Sequence, residues 1–211
     1  MPRILDKLSQ EKSLRHEEIL VNDGQTPAAS ATSDHNFVFL KSDRMYQHQL
    51  LRINYTTYDV RRDQDVINPW TSRRDVMVLA NNGDDDSDTS HPFWYARVLG
   101  IYHVNVVYTG PGMIDYAARR LDFLWVRWFR YIGASSVDWR DYSLDSITFP
   151  AMASEHSFGF LDPNDVLRAS HVIPAFVHGK LHRDAISLSK CARDGHDWRR
   201  YCVNRCVVAS H

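Results

Sequence analysis

The chain has 211 residues, 44% of them hydrophobic and 12% aromatic, enough to bury a core in one domain and more aromatic than small helical proteins need. A formal net charge of −1 and a pI near 6.8 leave no global basic footprint for nucleic acid or an anionic membrane. The charged groups are mostly 20 Arg and 22 Asp, with 5 Lys and 4 Glu, so planar forks and short carboxylates suited to fixed pairing dominate.

Residues 1–35 begin with a charged, weakly helical stretch (Leu5, Leu8, Ile19, Leu20) and run into NDGQTPAASATSD. That composition predicts a flexible N-terminal arm and linker, leaving 36–211 as one β-rich domain. The start has no apolar h-region, and no stretch approaches the ~20 apolar residues of a membrane span. Three late cysteines (Cys191, Cys202, Cys206) fit free thiols better than a disulfide scaffold. An intracellular, nuclear setting is the expectation.

From Asn36 onward, short apolar runs separated by polar turns predict an all-β domain. Phe37 to Leu40 is a first strand, and Leu51, Ile53, Tyr55 and Thr57 alternate with Arg52, Asn54, Thr56 and Tyr58 in a second. Val76 to Leu79 is a buried strand that stops at NNGDDDSDTS, where four Asp within residues 84–88 repel one another in a solvated loop. Two aromatic, β-branched runs follow, Phe93 to Tyr108 and Leu121 to Tyr131. Gly-Pro-Gly chemistry in the connection TGPGMIDYAARR predicts an antiparallel hairpin, with Gly100 marking a bulge.

Residues 132–156 read as loop, apart from a short strand at Ile147 to Phe149. Asp162-Pro163-Asn164-Asp165 has the residues of a helix start, so one or two helical turns are expected to about Ser170. His171 to Val177 returns to strand, with Pro174 marking an edge, and Tyr201 to Val208 is a last strand. With no strand-helix-strand rhythm, the predicted fold is mostly β: a curled antiparallel SH3-like barrel with long loops and one short helix.

No P-loop, GxGxxG, HExxH or GxSxG is present, so no catalytic residues and no cofactor are assigned. The tail offers His178, His182, Cys202 and Cys206, beside Cys191 and His196, as a zinc set. Geometry opposes it, because thiols four residues apart on a strand are about 13 Å apart. Asp63 and Asp65 after Arg61-Arg62 suggest local ion pairing rather than a phosphoryl-transfer pair.

The aromatic runs are the better site. Strand alternation puts rings on both sheet faces, and those left over, among Trp94, Tyr95, Trp125, Trp128 and Tyr131, are candidates for a cage around a quaternary ammonium. Arg97, Arg119, Arg120, Arg127 and Arg130 are the alternative, a nucleic-acid-binding set.

NYTTYDVRRDQDVINP (54–69), RRDVMVLA (73–80), HPFWYARVLGIYHVNV (91–106), FLWVRWF (123–129), FGFLDPNDVLRASHVIPAFVHG (158–179) and DWRRYCVNR (197–205) resemble an uncharacterised C-terminal domain of large proteins from mushroom-forming fungi, many of them linked to Plavaka-type transposons. The resemblance covers about residues 40–205. It departs from the family at Cys202 and Cys206, where aromatic residues are expected, and in ending at His211 without the family's acidic, aromatic continuation.

YARVLGIYHV followed by LDFLWVRWFRY is also similar to the central strands of bromo-adjacent homology (BAH) domains, which bind chromatin proteins, some through an aromatic cage around methylated lysine. These resemblances imply a non-catalytic interaction module of mobile-element origin with a histone tail or chromatin protein as partner. A nucleic-acid-binding accessory domain of a transposase and a remnant without activity are the alternatives.

Overall fold

The computed structural model describes residues 37–56, 61–80, 91–112, 114–135 and 144–204. These hold strands β1 (Val38–His48), β2 (Leu51–Thr56), β3 (Arg62–Ile67), β4 (Asp75–Leu79), β5 (Phe93–Tyr108), β6 (Arg119–Trp128), β7 (Arg130–Ser135), β8 (Leu144–Thr148), β9 (Phe158–Leu161), β10 (Val166–Ala169), β11 (His171–Pro174) and β12 (Tyr201–Asn204). Every pairing between these strands is antiparallel. Short 3-10 turns lie at Pro163–Asp165, Phe176–His178 and Asp194–His196, and among the described residues no longer helix is present. The expected N-terminal arm, the Asp-rich loop and Cys206 lie outside the described residues.

β5 is the spine. Its 16 residues are rich in Val, Tyr and other strand formers, and from Ala96 to Val106 it pairs with β6. On its other flank, Phe93 to Arg97 pair with β4, and Ile101 to Tyr108 pair with β1. The change of partner coincides with a register shift between Val98 and Gly100. A side chain at Gly100 would run into the Tyr102 ring, so glycine is required where the strand bends. With β9 beyond β6 and β10 beyond β4, this makes a six-stranded sheet.

Where β4 and β9 flank β5 and β6, the sheet is packed on both faces, in keeping with the apolar residues at both parities of β5 and β6 there, whereas β1 beyond the bend is mostly exposed. On one face Val76, Val78, Ala96, Val98, Ile101, Leu124 and Val126 pack with Ile67, Leu161 and Val166, and the β2–β3 hairpin adds Leu51 and Ile53. On the other, Tyr95 and Phe129 pack with Ile147, Tyr201 and Val203 of a four-stranded sheet ordered β11-β12-β8-β7. Asp65 fastens the hairpin, accepting from Arg168 Nε at 3.1 Å and Ala169 N at 2.9 Å, while the Arg168 guanidinium lies 3.6 Å from the Tyr55 ring centre.

The mostly β, antiparallel architecture matches expectation, but the strands form a stack of open sheets rather than one closed barrel. A two-sided central sheet needs a layer on each face, which a single small cylinder does not provide. The run 121–131 is divided at Phe129, whose N–H bonds to Tyr95 O at 2.9 Å while its ring turns into the core beneath. The helix expected to Ser170 is a single turn. Asp162 caps it by accepting from Asn164 N, and Val166 then returns to extended backbone to pair with Val78. β3 forms where a charged loop was expected, and β1 and β7 extend beyond the runs foreseen.

Candidate functional site

Strand parity separates the five candidate rings. Trp94 and Trp128 share one face of the central sheet, because Trp128 stands opposite Ala96, two residues along from Trp94. Their rings meet edge to face at 6.0 Å and 78°. Trp94 is 46% exposed, whereas Trp128 packs partly on the core below. Trp128 Nε1 is buried and has no hydrogen-bond partner among the described residues. A Cβ at Gly159 would lie 2.7 Å from that nitrogen, so glycine there lets the indole lie flat on β9. The result is a two-walled aromatic corner with one wall on solvent.

The other three rings lie elsewhere. Tyr95 is 2% exposed and donates to Asp145 Oδ2 at 2.9 Å, so it is a core residue and not a cage wall. Trp125, three residues from Trp128, falls on the opposite face, against Phe160. Tyr131 belongs to the second sheet and lies on the His91 ring at 4.2 Å.

Arg97 and Arg127 are likewise not surface groups, at 6% and 2% exposed. They face each other in the β5–β6 ladder, with Asp75 opposite Arg97 on β4. Arg97 donates to both Asp75 oxygens, at 2.8 and 3.2 Å, and to Asp197 Oδ1 at 3.0 Å; Arg127 Nη1 donates to Asp197 Oδ2 at 2.6 Å. Tyr201 also donates to Asp197, and the Arg127 guanidinium stacks 3.9 Å from the Phe149 ring centre.

Burial alone would lower the Arg97 pKa, but the Asp75 charge and hydrogen bonds outweigh it and hold the guanidinium above its ordinary value. Tyr201 is raised, chiefly by burial, and Arg74 is lowered by burial and by its neighbour Arg97. The network therefore locks the last loop onto the sheet as an internal ion cluster. Of the remaining candidate arginines, Arg119 lies 3.6 Å from Asp115, Arg120 is forked onto Asp122 at 2.7 to 3.0 Å, and Arg130 is exposed.

Two histidines are tied to buried carboxylates. His91 Nε2 is 2.9 Å from Asp145 Oδ2, and its Nδ1 is 2.8 Å from Phe93 O. With both ring nitrogens occupied, the dyad orients a loop. His182 Nε2 lies 3.0 Å from Asp194 Oδ2 but off the hydrogen-bond direction. Asp194 is filled instead by the N–H groups of Leu188 and Ser189, at 3.1 and 2.9 Å.

The tail zinc set does not assemble among the described residues: His178 is exposed on its turn, His182 faces Asp194, and Cys202 is on β12. Asp63 and Asp65 do not pair within their own segment as expected: Asp63 accepts from the Tyr55 hydroxyl across the β2–β3 hairpin, and Asp65 pairs with Arg168, 103 residues further on. The one group of His, Cys, Asp or Glu with metal-ligand spacing among the described residues is His48, His103 and Asp122. It was missed in the sequence because it depends on the pairing of β1 with β5, which no local pattern reveals.

No family model, no curated protein and no solved structure matches the chain.

Proposed function

We propose that the chain is a non-catalytic protein-interaction module that captures an alkylated ammonium side chain of a partner, such as methylated lysine in a histone tail, at the Trp94–Trp128 corner. The carrying observation is that corner: two indoles at 78°, one wall open to water, on a sheet whose faces are otherwise largely covered. Electron-rich indole faces attract quaternary ammonium, and a perpendicular pair offers two such faces to one cation.

The BAH-like reading of β5 and β6 and the origin in a fungal mobile element belong to the same proposal, and a nuclear, chromatin-bound setting follows from them. The charged centre supports a binding role, since Arg97, Arg127, Asp75, Asp197 and Tyr201 neutralise one another in the interior instead of converging on a cleft.

The test is a histone-peptide array covering unmodified and methylated lysines, repeated with Trp94→Ala. Binding that requires methylation and disappears in the variant supports the reading; an array blank for the native chain overturns it. Binding to nucleic acid that weakens steeply with salt would move the function to the exposed arginines Arg119, Arg120 and Arg130.

A further inference from the structure

On the half of β5 beyond the bend, strand pairing assembles a second group of side chains that the peptide-binding reading does not use. Tyr46 on β1 stands opposite His103 on β5, and His103 stands opposite Asp122 on β6. His48, two residues from Tyr46, points to the same face and reaches His103 diagonally. Three adjacent strands thus present two imidazoles and one carboxylate on one surface, with all three donor positions within 4.8 Å of one another.

We propose that His48, His103 and Asp122 form a binding site for a divalent first-row transition ion of the zinc type. His48 Nε2 and His103 Nδ1 are 2.6 Å apart. Two imidazole nitrogens that close repel unless a proton or a cation lies between their lone pairs. A metal about 2.0–2.1 Å from each nitrogen would hold them roughly 3 Å apart, which small ring rotations supply. Asp122 then completes three corners of a coordination sphere by a side-chain swing on a fixed strand.

The surroundings have the form of a supporting shell. The His103 ring lies flat on Tyr46, at 4.6 Å and 8°, and against His48 at 4.8 Å and 24°, which limits its rotation. Arg120 donates from Nε to both oxygens of Asp122, at 3.0 Å each, orienting the carboxylate while leaving lone pairs on both atoms. Neutral imidazoles suit zinc, nickel, copper and iron, whereas magnesium and calcium require more oxygen ligands than this face offers. With Arg120 offsetting the one carboxylate charge, the bound ion keeps positive charge. Its remaining positions face solvent, open to water or to a donor from a second molecule.

The experiment is titration of the metal-free full chain with Co2+ and Zn2+, followed by visible absorption and calorimetry, on the native protein and on His48→Gln, His103→Gln, Asp122→Asn and a Cys191→Ser/Cys202→Ser/Cys206→Ser variant. The expected result is one ion per chain, a Co2+ spectrum without thiolate charge transfer, about a tenfold or greater loss of affinity for either histidine variant, and no loss for the cysteine variant. Circular dichroism melts without metal verify that each variant folds. Should His103→Gln destabilise the sheet, His48→Gln at the end of β1 decides the question alone. A native chain that takes up neither ion, or folded histidine variants that bind as tightly as the native chain, would overturn the site and leave an imidazole pair joined by a proton. Failure here is independent of the peptide array, which reads Trp94.

Discussion

Arg97 and Arg127 stand directly opposite each other in the β5–β6 ladder, and both donate to the same carboxylate, Asp197, at 3.0 and 2.6 Å. Two buried like charges side by side are tolerable only while that carboxylate bridges them. Asp197→Ala leaves Arg127 without its ion-pair partner and Arg97 with Asp75 alone, and is expected to cost about 3–5 kcal/mol. Urea denaturation followed by fluorescence measures it; a loss below about 1 kcal/mol would show that water reaches the cluster.

Gly159→Ala is expected to destabilise by about 1–3 kcal/mol, because the new methyl meets the Trp128 indole and the ring cannot yield without leaving the core. Trp94→Ala, which removes a largely exposed ring, should stay near neutral in the same melts. The pair of results separates the fixed wall of the corner from the open one.

Tyr95→Phe deletes a buried hydroxyl that donates to Asp145 at 2.9 Å, and should cost about 1.5–3 kcal/mol. Thermal denaturation of the variant checks this. No change would mean that Asp145 is satisfied by His91 and its remaining neighbours.

Asp194 gives an acid-sensitive contribution. Burial raises its pKa, but the N–H donors of Ser189 and Leu188, with His182 nearby, outweigh this and hold it below the ordinary carboxylate value. The folded protein therefore binds this proton more weakly than the unfolded chain does. The stability it contributes is complete above the unfolded carboxylate pKa of about 4 and drains away as pH falls through the depressed value. Melting points of the native chain and Asp194→Asn between pH 7 and pH 2 should converge on acidification; a constant gap would rule out this carboxylate as the source.

The strands legible in the sequence are those whose own side chains build the core. Val76 to Val78, Phe93 to Ile101 and Phe123 to Trp128 are largely apolar on both faces, Arg97 and Arg127 apart, as suits the doubly covered part of the sheet. β3 escaped because Arg62, Asp63, Gln64 and Asp65 point mostly to water and hold register through cross-strand pairs, Tyr55 to Asp63 at 3.0 Å and Gln64 to Asn54 at 2.7 Å. The Asp-Pro-Asn-Asp segment has genuine helix-start chemistry, but burial of Val166 and pairing with β4 override it after one turn.

Within the candidate site, alternation announced that rings would occupy both faces. The pairing of Trp94 with Trp128 needs only the β5–β6 register, whereas the consignment of Tyr95 to the core depends on the second sheet. Arg97 and Arg127 looked like surface bases because their counter-charge comes from Asp197, 100 and 70 residues further on.

The placement of β12 has a consequence for how the protein is made. Residues Tyr201–Asn204 do not flank the second sheet but run between β11 and β8. A nascent chain emerging from the ribosome can pair β5 with β6 early, yet it holds two buried-to-be guanidiniums with no bridging anion and a gap between β8 and β11 until this segment clears the exit tunnel. That half of the molecule therefore orders only once residues 197–204 are free to pair, and a stop anywhere before residue 197 yields a polypeptide exposing both arginines and two unzipped strand edges to chaperones and proteases.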